Sequence, residues 1–512
     1  MKKSTHIQTY VQPLERRKFL FRYTLMVCSI FHIFGSVSWA QTNFEDWKRA
    51  QVNVGQAQKN AFLTWRTEQD RQFAEHLRQE WQDFQVFQGK VRDANPKPRQ
   101  LPIAQPPDRP DLPAPTVVPL AQSPKPSIVP DSVPLPVVVP PMEPPAIKPS
   151  ETYVTLEFGG HKLNIPIDPK WKNLRAKSFS ADGIADYWER VSNTSVQPTL
   201  NAVEQLRTQW NLDDWAHVNL WQTVVRATAS SRTEQDLLLW FLLVKRGLDV
   251  RLGYSGQQVY LFASVKQPVY AVPFVQLEGR TYYAILNSAD SLKTFHTYPS
   301  NGPVSLKPLS LVAASTGFTQ PKIIEKTVSF SFRDQPVQIS YQYDSQLVQF
   351  LSTYPQFDFE LYFVTQPDQF SRSSLLKALG ERTRGMSQVD VVNFLLTFVQ
   401  TAFAYKNDEE QFGREKYFFV EEVLHYPYSD CEDRSVLFAW LVRELLKINT
   451  VGLHFPGHVT TAVLLSDPPQ PNWATVDWQN KKYVIADPTY INASLGMAMP
   501  SYAGKKPIRV IP

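Results

Sequence analysis

The chain has 512 residues, is 43 % hydrophobic and 13 % aromatic, and carries a formal charge of +5. All of that charge belongs to residues 1–40, which hold six Lys/Arg and one Glu; the remainder balances 47 basic against 47 acidic residues. A neutral body excludes nucleic acid as the partner, because neutralising phosphates needs a basic surface, and the length gives room for two or three domains with large cores.

Residues 1–40 read as an export signal. Lys2, Lys3 and Arg16-Arg17-Lys18 precede the apolar run Tyr23 to Val37, and Ser38-Trp39-Ala40 supplies a small-x-small cleavage pattern before Gln41. The run is too short for a membrane span and is interrupted by His32, Gly35 and Ser36. Arg16-Arg17-Lys18-Phe19-Leu20 also fits a twin-arginine pattern, so both export routes stay open. The expected location is the periplasm or cell envelope, with no transmembrane span in the mature chain. Cys28 leaves with the leader, and Cys431 is then the lone cysteine. In an exported protein such a thiol is buried and inert, paired with another molecule, or a working group.

Residues 41–94 are expected to be a helical segment. Asn43 is a candidate cap with Asp46 three residues on, and Phe73, Leu77, Trp81, Phe84 and Val91 form an aromatic-rich stripe at helical spacing. Such a stripe packs on itself, on a second copy, or on a docking partner. Residues 95–150 form a linker with 19 prolines, which cannot build a helix or sheet core and favours polyproline II. Fully extended it would reach on the order of 150 Å.

From Glu151 the pattern is globular and repeats itself, predicting an α+β chain of two tandem units over 151–325 and 326–512. Tyr153–Phe158 and Lys162–Ile165 read as a hairpin around Gly159-Gly160, as do Thr327–Phe332 and Val337–Ser340. Leu212–Val225 then matches Met386–Val399, each a helix with Asp213 or Ser387 near its cap. Glu234–Val250 matches Glu432–Ile448, and Tyr283–Asn287 matches Tyr483–Asp487. The second copy inserts Tyr405–Tyr428 before its cysteine. The copies differ where chemistry would sit: Thr233 stands against Cys431, Asn287 against Asp487, and Ser255–Val259 has no histidine to match His458.

Ser429-Asp430-Cys431-Glu432 predicts a helix start with Ser429 as cap and Glu432 as its partner. A cysteine in the first turn faces unpaired N–H groups and the positive dipole end, which favour thiolate, whereas Glu432 and Asp433 oppose it. Candidate bases are His425, His454 and His458. His458 follows the Pro456-Gly457 turn and starts a β-rich run, and Asp487, before Pro488, ends the next hairpin. A carboxylate there is placed to orient an imidazole.

Asp-Cys-Glu-Asp opening a helix, Pro-Gly-His opening a strand and Ala-Asp-Pro-Thr-Tyr ending the next together resemble the transglutaminase-like superfamily of papain-fold cysteine enzymes. The resemblance covers Gln388 to Tyr490 and, in degenerate form, Leu212 to Asn287. It implies a helix packed on an antiparallel sheet and a triad of Cys431 as nucleophile, His458 as general base and acid, and Asp487 as orienting carboxylate. No acidic calcium loop of the animal-enzyme kind is present in the sequence, so neither a metal nor a cofactor is carried over. The Cys431 N–H, with Tyr428 or a neighbour, is the expected oxyanion site.

The expected function is thiol acyl transfer on an amide or peptide through a thioester, as peptidase, amidase, deamidase or transglutaminase. The substrate is expected to be a protein or peptide, including a cell-envelope component, and the inserted stretch to cover one side of the cleft. The alternative is a non-enzymatic envelope scaffold in which the N-terminal helix mediates docking or oligomerisation. A metal site of Cys431, His454 and His458 lacks structural-zinc spacing.

Overall fold

The computed structural model describes residues 67–78, the backbone of 82–85, and residues 152–512 apart from 288, 290, 291, 293, 299–304 and 314–316. The leader, the Pro-rich stretch and most of the expected N-terminal helix lie outside the described residues.

Residues 67–78 are helical (α1), and Gln82–Gln85 form strand β1. Thr152–Phe158 (β2) and His161–Ile167 (β3) make the hairpin expected around Gly159-Gly160, whose positive φ of +57° and +83° suits a two-residue I′ turn. Helices α2 (Ala181–Ser192), α3 (Gln197–Gln209), α4 (Asp214–Thr228) and α5 (Arg232–Lys245) follow. Next come strands β4 (Val250–Ser255), β5 (Gln258–Ser264), β6 (Phe274–Leu277), β7 (Arg280–Tyr283) and β8 (Thr294–Thr297).

The second half opens with the hairpin β9 (Ile323–Phe332) and β10 (Gln335–Asp344). It continues through α6 (Ser345–Leu351), α7 (Glu360–Val364), α8 (Gln369–Thr383) and α9 (Gln388–Ala402). The inserted stretch holds β11 (Ala404–Tyr405), α10 (Asp408–Phe412), α11 (Val420–His425) and β12 (Tyr428–Ser429), with β11 and β12 paired in parallel. Helix α12 (Cys431–Leu446) leads into β13 (Thr450–Phe455), β14 (His458–Val463), β15 (Thr475–Trp478), β16 (Lys481–Ala486) and β17 (Arg509–Ile511).

The fold is mixed α+β, with antiparallel pairing within each larger sheet. Strand order is β1-β8-β4-β5-β7-β6 in the first half and β17-β13-β14-β16-β15 in the second, so five strands follow one sequence of neighbours in both. The paired helices before each sheet start alike: Asp213 accepts from the Ala216 N–H at 2.9 Å and Ser387 from the Asp390 N–H at 3.1 Å, each satisfying an unpaired N–H of a first turn.

Among the described residues of 41–94, a helix over 67–78 is followed by a strand. Helical periodicity also fits a short strand when apolar residues are sparse, and Gln82–Gln85 pair antiparallel with Thr294–Thr297 at the edge of the first sheet, placing Phe84 on a strand. The described part of the stripe is spent within this chain. Phe73, 1 % exposed, packs against Trp188 (centroids 4.4 Å apart), Trp240 and Tyr298, and Asp70 pairs with Lys245 at 2.8 Å. Burying one Phe ring stabilises by about 1.5–3 kcal/mol, so Phe73 and Leu77 serve the fold here rather than a docking partner.

One apolar core runs from Phe73 to Ile511, carried across the halves by Phe318, which stacks on Phe158 and meets Phe350 edge-on. Helix α12 is covered on every side, by α9, α11, β13 and β14, from Cys431 through Val442. A helix apolar on one stripe would leave its other face wet; here even Glu432, Asp433, Arg434 and Ser435 are buried, which sets the electrostatics of the site.

Candidate functional site

Cys431 is the first residue of α12, but the cap is displaced by one position from the expected Ser429–Glu432 pair. Asp430 is the N-cap, and its N–H donates to Asp433 Oδ2 at 3.3 Å. Ser429 is instead held in β12, where its Oγ accepts from Arg434 Nε at 3.3 Å. Glu432 is thereby free to accept the Cys431 S–H at 2.9 Å through Oε2. The thiol is fully buried. Burial pushes it up, the Asp430 carboxyl adds to the rise, and the contacts with Glu432 and the Val459 N–H act the other way.

His458 opens β14 directly after the Pro456-Gly457 turn, where Gly457 takes φ +75°. Its Nε2 lies 2.9 Å from Asp487 Oδ2, and both side chains are buried. Asp487 Oδ1 accepts the N–H groups of Thr489 (2.9 Å) and Tyr490 (3.1 Å). Burial pushes the Asp487 carboxyl up, but the facing His458 charge and these hydrogen bonds outweigh it and hold the group below the usual carboxylate range. An ionised carboxylate only accepts, so Nε2 carries a proton in either state of the ring, and in the neutral tautomer the lone pair sits on Nδ1. Among the described residues Nδ1 has no hydrogen-bond partner.

Cys431 and His458 share no hydrogen bond. They are neighbours through the backbone: the thiol takes the Val459 N–H, and Ser435 Oγ reaches Cys431 O at 2.7 Å and Val459 O at 3.2 Å. The other two histidines are placed elsewhere. His425 Nδ1 is 3.2 Å from Tyr343 Oη, and His454 lies within β13, where burial lowers its pKa and Arg509 lowers it further. Tyr428 is 38 % exposed on β12, with Lys406 Nζ 5.4 Å from its ring centroid.

Three supporting residues carried no local signal in the sequence. Tyr502, far along the chain, stacks on the His458 ring with centroids 4.9 Å apart and planes 19° from parallel. Gln400 on α9 donates to Asp487 O at 2.9 Å and to Ala493 O at 3.0 Å, fixing the strand end that carries Asp487. Ser435 stands one turn after Cys431 and would be found by asking which α12 side chain faces β14.

The inserted stretch does not form a loose flap. Tyr417, Phe418 and Phe419 are buried, Lys416 Nζ lies 4.7 Å from the Phe418 ring centroid, and the Phe418 N–H donates to Asp433 Oδ1 at 2.9 Å. In the first half, cap Ser231 puts Arg232 rather than Thr233 at the position of Cys431, because N3 is Glu234 there and Asp433 here. Gln258 begins β5 as His458 begins β14, each paired across a two-residue turn. Asn287 donates to Asp236 at 3.0 Å and accepts the Leu261 N–H at 2.9 Å.

Comparisons of the chain with protein-family models, curated proteins and solved structures return no match.

Proposed function

We propose that the chain is an exported cysteine-dependent acyl-transfer enzyme of transglutaminase-like type, with Cys431 as nucleophile, His458 as base and acid, and Asp487 as the group that holds His458. The observation that carries this reading is the buried 2.9 Å contact between His458 Nε2 and Asp487, which leaves Nδ1 as the proton acceptor on the segment next to the thiol. Export rests on the leader pattern of residues 1–40. Among the described residues no helix is long and apolar enough to cross a membrane.

Catalysis requires one rearrangement. The thiol must turn from Glu432 toward Nδ1, and the site must open, since Cys431 is 0 % exposed. Nδ1 then takes the S–H proton and Sγ attacks the amide carbonyl carbon, while the Cys431 N–H faces the developing oxyanion. The C–N bond breaks as imidazolium Nδ1–H protonates the leaving nitrogen, giving a thioester. Water or an amine attacks the thioester with Nδ1 again taking a proton, which returns to sulfur as the C–S bond breaks.

The first half is read as a degenerate copy. The shared order of five strands supports this, as does the presence of Arg232, Gln258 and Asn287 in the places of the three groups, which leaves that copy without a nucleophile or base. Full burial of Cys431 and its bond to Glu432 favour the second reading, a scaffold with an inert thiol.

The two readings separate in an assay on an unfolded protein substrate with a fluorescent primary amine, following ammonia release, amine incorporation and new N-termini. Thiol catalysis predicts that one of these signals falls at least ~10³-fold with Cys431→Ala. A signal that survives this substitution undiminished excludes Cys431 as nucleophile.

A further inference from the structure

The backbone N–H groups of residues 416–419, in the inserted stretch, are taken by side chains rather than by another strand. Lys416 donates to Asp408 Oδ2 at 2.7 Å, Tyr417 to Gln356 Oε1 at 2.5 Å, Phe418 to Asp433 Oδ1 at 2.9 Å and Phe419 to Glu422 Oε2 at 3.2 Å. All four residues are buried. A buried N–H needs an acceptor, so the path of this segment follows where those side chains stand.

Asp408 and Glu422 belong to the inserted stretch itself and Asp433 to α12. Gln356 belongs to neither. It lies between α6 and α7, is buried, and its carbonyl accepts the Tyr270 N–H of the first half at 2.8 Å. Its neighbours are tied to the first half as well. Trp215 Nε1 donates to Thr353 Oγ1 at 3.1 Å, Tyr354 Oη donates to Asp213 Oδ2 at 2.8 Å, and Phe357 forms a β-bridge with Val269. The Tyr354 ring also meets the Phe419 ring edge-on, with centroids 5.5 Å apart. Residues 353–357 therefore join the first half to the segment 416–419.

That segment in turn reaches the thiol helix. Asp433 takes the Phe418 N–H on Oδ1 and the Asp430 N–H on Oδ2, so one carboxylate fixes both the inserted stretch and the helix start. The next N–H after Asp430 is that of Cys431, which faces the oxyanion in the proposed reaction. Displacing residues 416–419 moves the turn that aims Sγ and this N–H, and an error of about 1 Å at a reacting group costs on the order of 100-fold in rate.

We propose that Gln356 and Tyr354 are positioning residues for Cys431, through which the first half sets the first turn of α12. This rests on the pairing of Cys431 with His458 proposed above. Gln356 supplies the acceptor that seats Tyr417, and Tyr354 ties the same segment to the start of α4. Asp213 holds the Ala216 N–H on Oδ1, so Tyr354→Phe removes the tie and spares the α4 cap.

The test is a mutant cycle on the full-length protein, read as Cys431 alkylation by iodoacetamide at pH 6. His458→Ala is introduced into wild type, Gln356→Leu, Gln356→Glu and Tyr354→Phe, and the ratio of rates with and without His458 is compared. That ratio should be at least ~10 in wild type. It should fall at least ~3-fold in Gln356→Leu and in Tyr354→Phe, and persist in Gln356→Glu, which keeps an acceptor for the Tyr417 N–H. A change that merely loosens the fold or opens the site multiplies both rates alike and leaves the ratio where it was. An unchanged ratio in Gln356→Leu or in Tyr354→Phe therefore overturns the proposal, as does an equal fall in Gln356→Glu. Far-ultraviolet circular dichroism checks folding; if Gln356→Leu does not fold, Tyr354→Phe, which loses one hydroxyl, decides. A ratio near one in wild type is a different failure: it removes the Cys431–His458 pairing itself, and the positioning role with it.

Discussion

Replacing Asp487 with alanine is expected to lower folding stability by about 3–5 kcal/mol, the cost of stripping one partner from a buried charge pair. Three donors lose their acceptor at once: His458 Nε2 and the N–H groups of Thr489 and Tyr490. The first of these is aromatic-stacked under Tyr502 and cannot turn to water without breaking that contact. Asp487→Asn keeps an oxygen for the two backbone donors and should recover most of the loss in urea unfolding at neutral pH. The pH dependence has a definite sign. The folded value of Asp487 lies below its ordinary one, so its contribution is complete above about pH 4 and is lost as pH falls through the folded value. An alanine variant within ~1 kcal/mol of wild type would mean that the His458–Asp487 contact holds nothing in place.

Glu421→Gln should have the opposite effect and stabilise the protein on the order of a few kcal/mol at pH 8. Glu421 is fully buried in α11; burial first, and then the charge of Asp368, push its carboxyl up to about 8 from an ordinary 4.5. The folded chain therefore holds a proton that the unfolded chain releases above about pH 4.5. Stability contributed by this group is complete below that value and declines as pH rises toward 8. Glutamine removes the titration while its oxygen can still accept the Asp368 N–H, now bonded to Glu421 Oε1 at 2.7 Å. Urea midpoints at pH 4 and pH 8 separate this from a packing effect. The gain belongs to pH 8 alone, and an equal gain at both values, or a loss at pH 8, contradicts the assignment.

The places of Cys431, His458 and Asp487 on their elements were legible in the sequence because each sits beside a local signal. The cysteine marks a helix start, the histidine follows a Pro-Gly turn, and the aspartate precedes a proline that ends a strand. Local signals fix where a residue lies on its own element, and the pairing of β14 with β16 then brings His458 and Asp487 together. Groups placed only by tertiary packing carried no such mark. Asp408 reads as one acid among several in a charged stretch until the β11–β12 pairing sets it beside Asp430. Gln400 reads as a polar residue near a helix end, and Tyr502 as part of a C-terminal loop.

The helix cap was misplaced because Ser429 and Asp430 are both good caps. Choosing between them depends on Arg434, which engages the serine. The N-terminal stripe stayed open between self-packing and docking because aromatic spacing cannot say whether a stripe meets a partner or the rest of its own chain. The cleft formed by Trp188, Trp240 and Tyr298 decides that for Phe73. The all-round burial of α12 was likewise hidden, since it depends on the inserted stretch folding back over the first turn.

The most direct measurement is the second-order rate of Cys431 alkylation by iodoacetamide from pH 5 to 9, in wild type and in His458→Ala. A thiol served by His458 Nδ1 when the site opens should react at pH 6 at least ~10-fold faster in wild type than in His458→Ala. A wild-type rate no faster than that of a free thiol, and equal in the two proteins across the range, would contradict the pairing of Cys431 with His458.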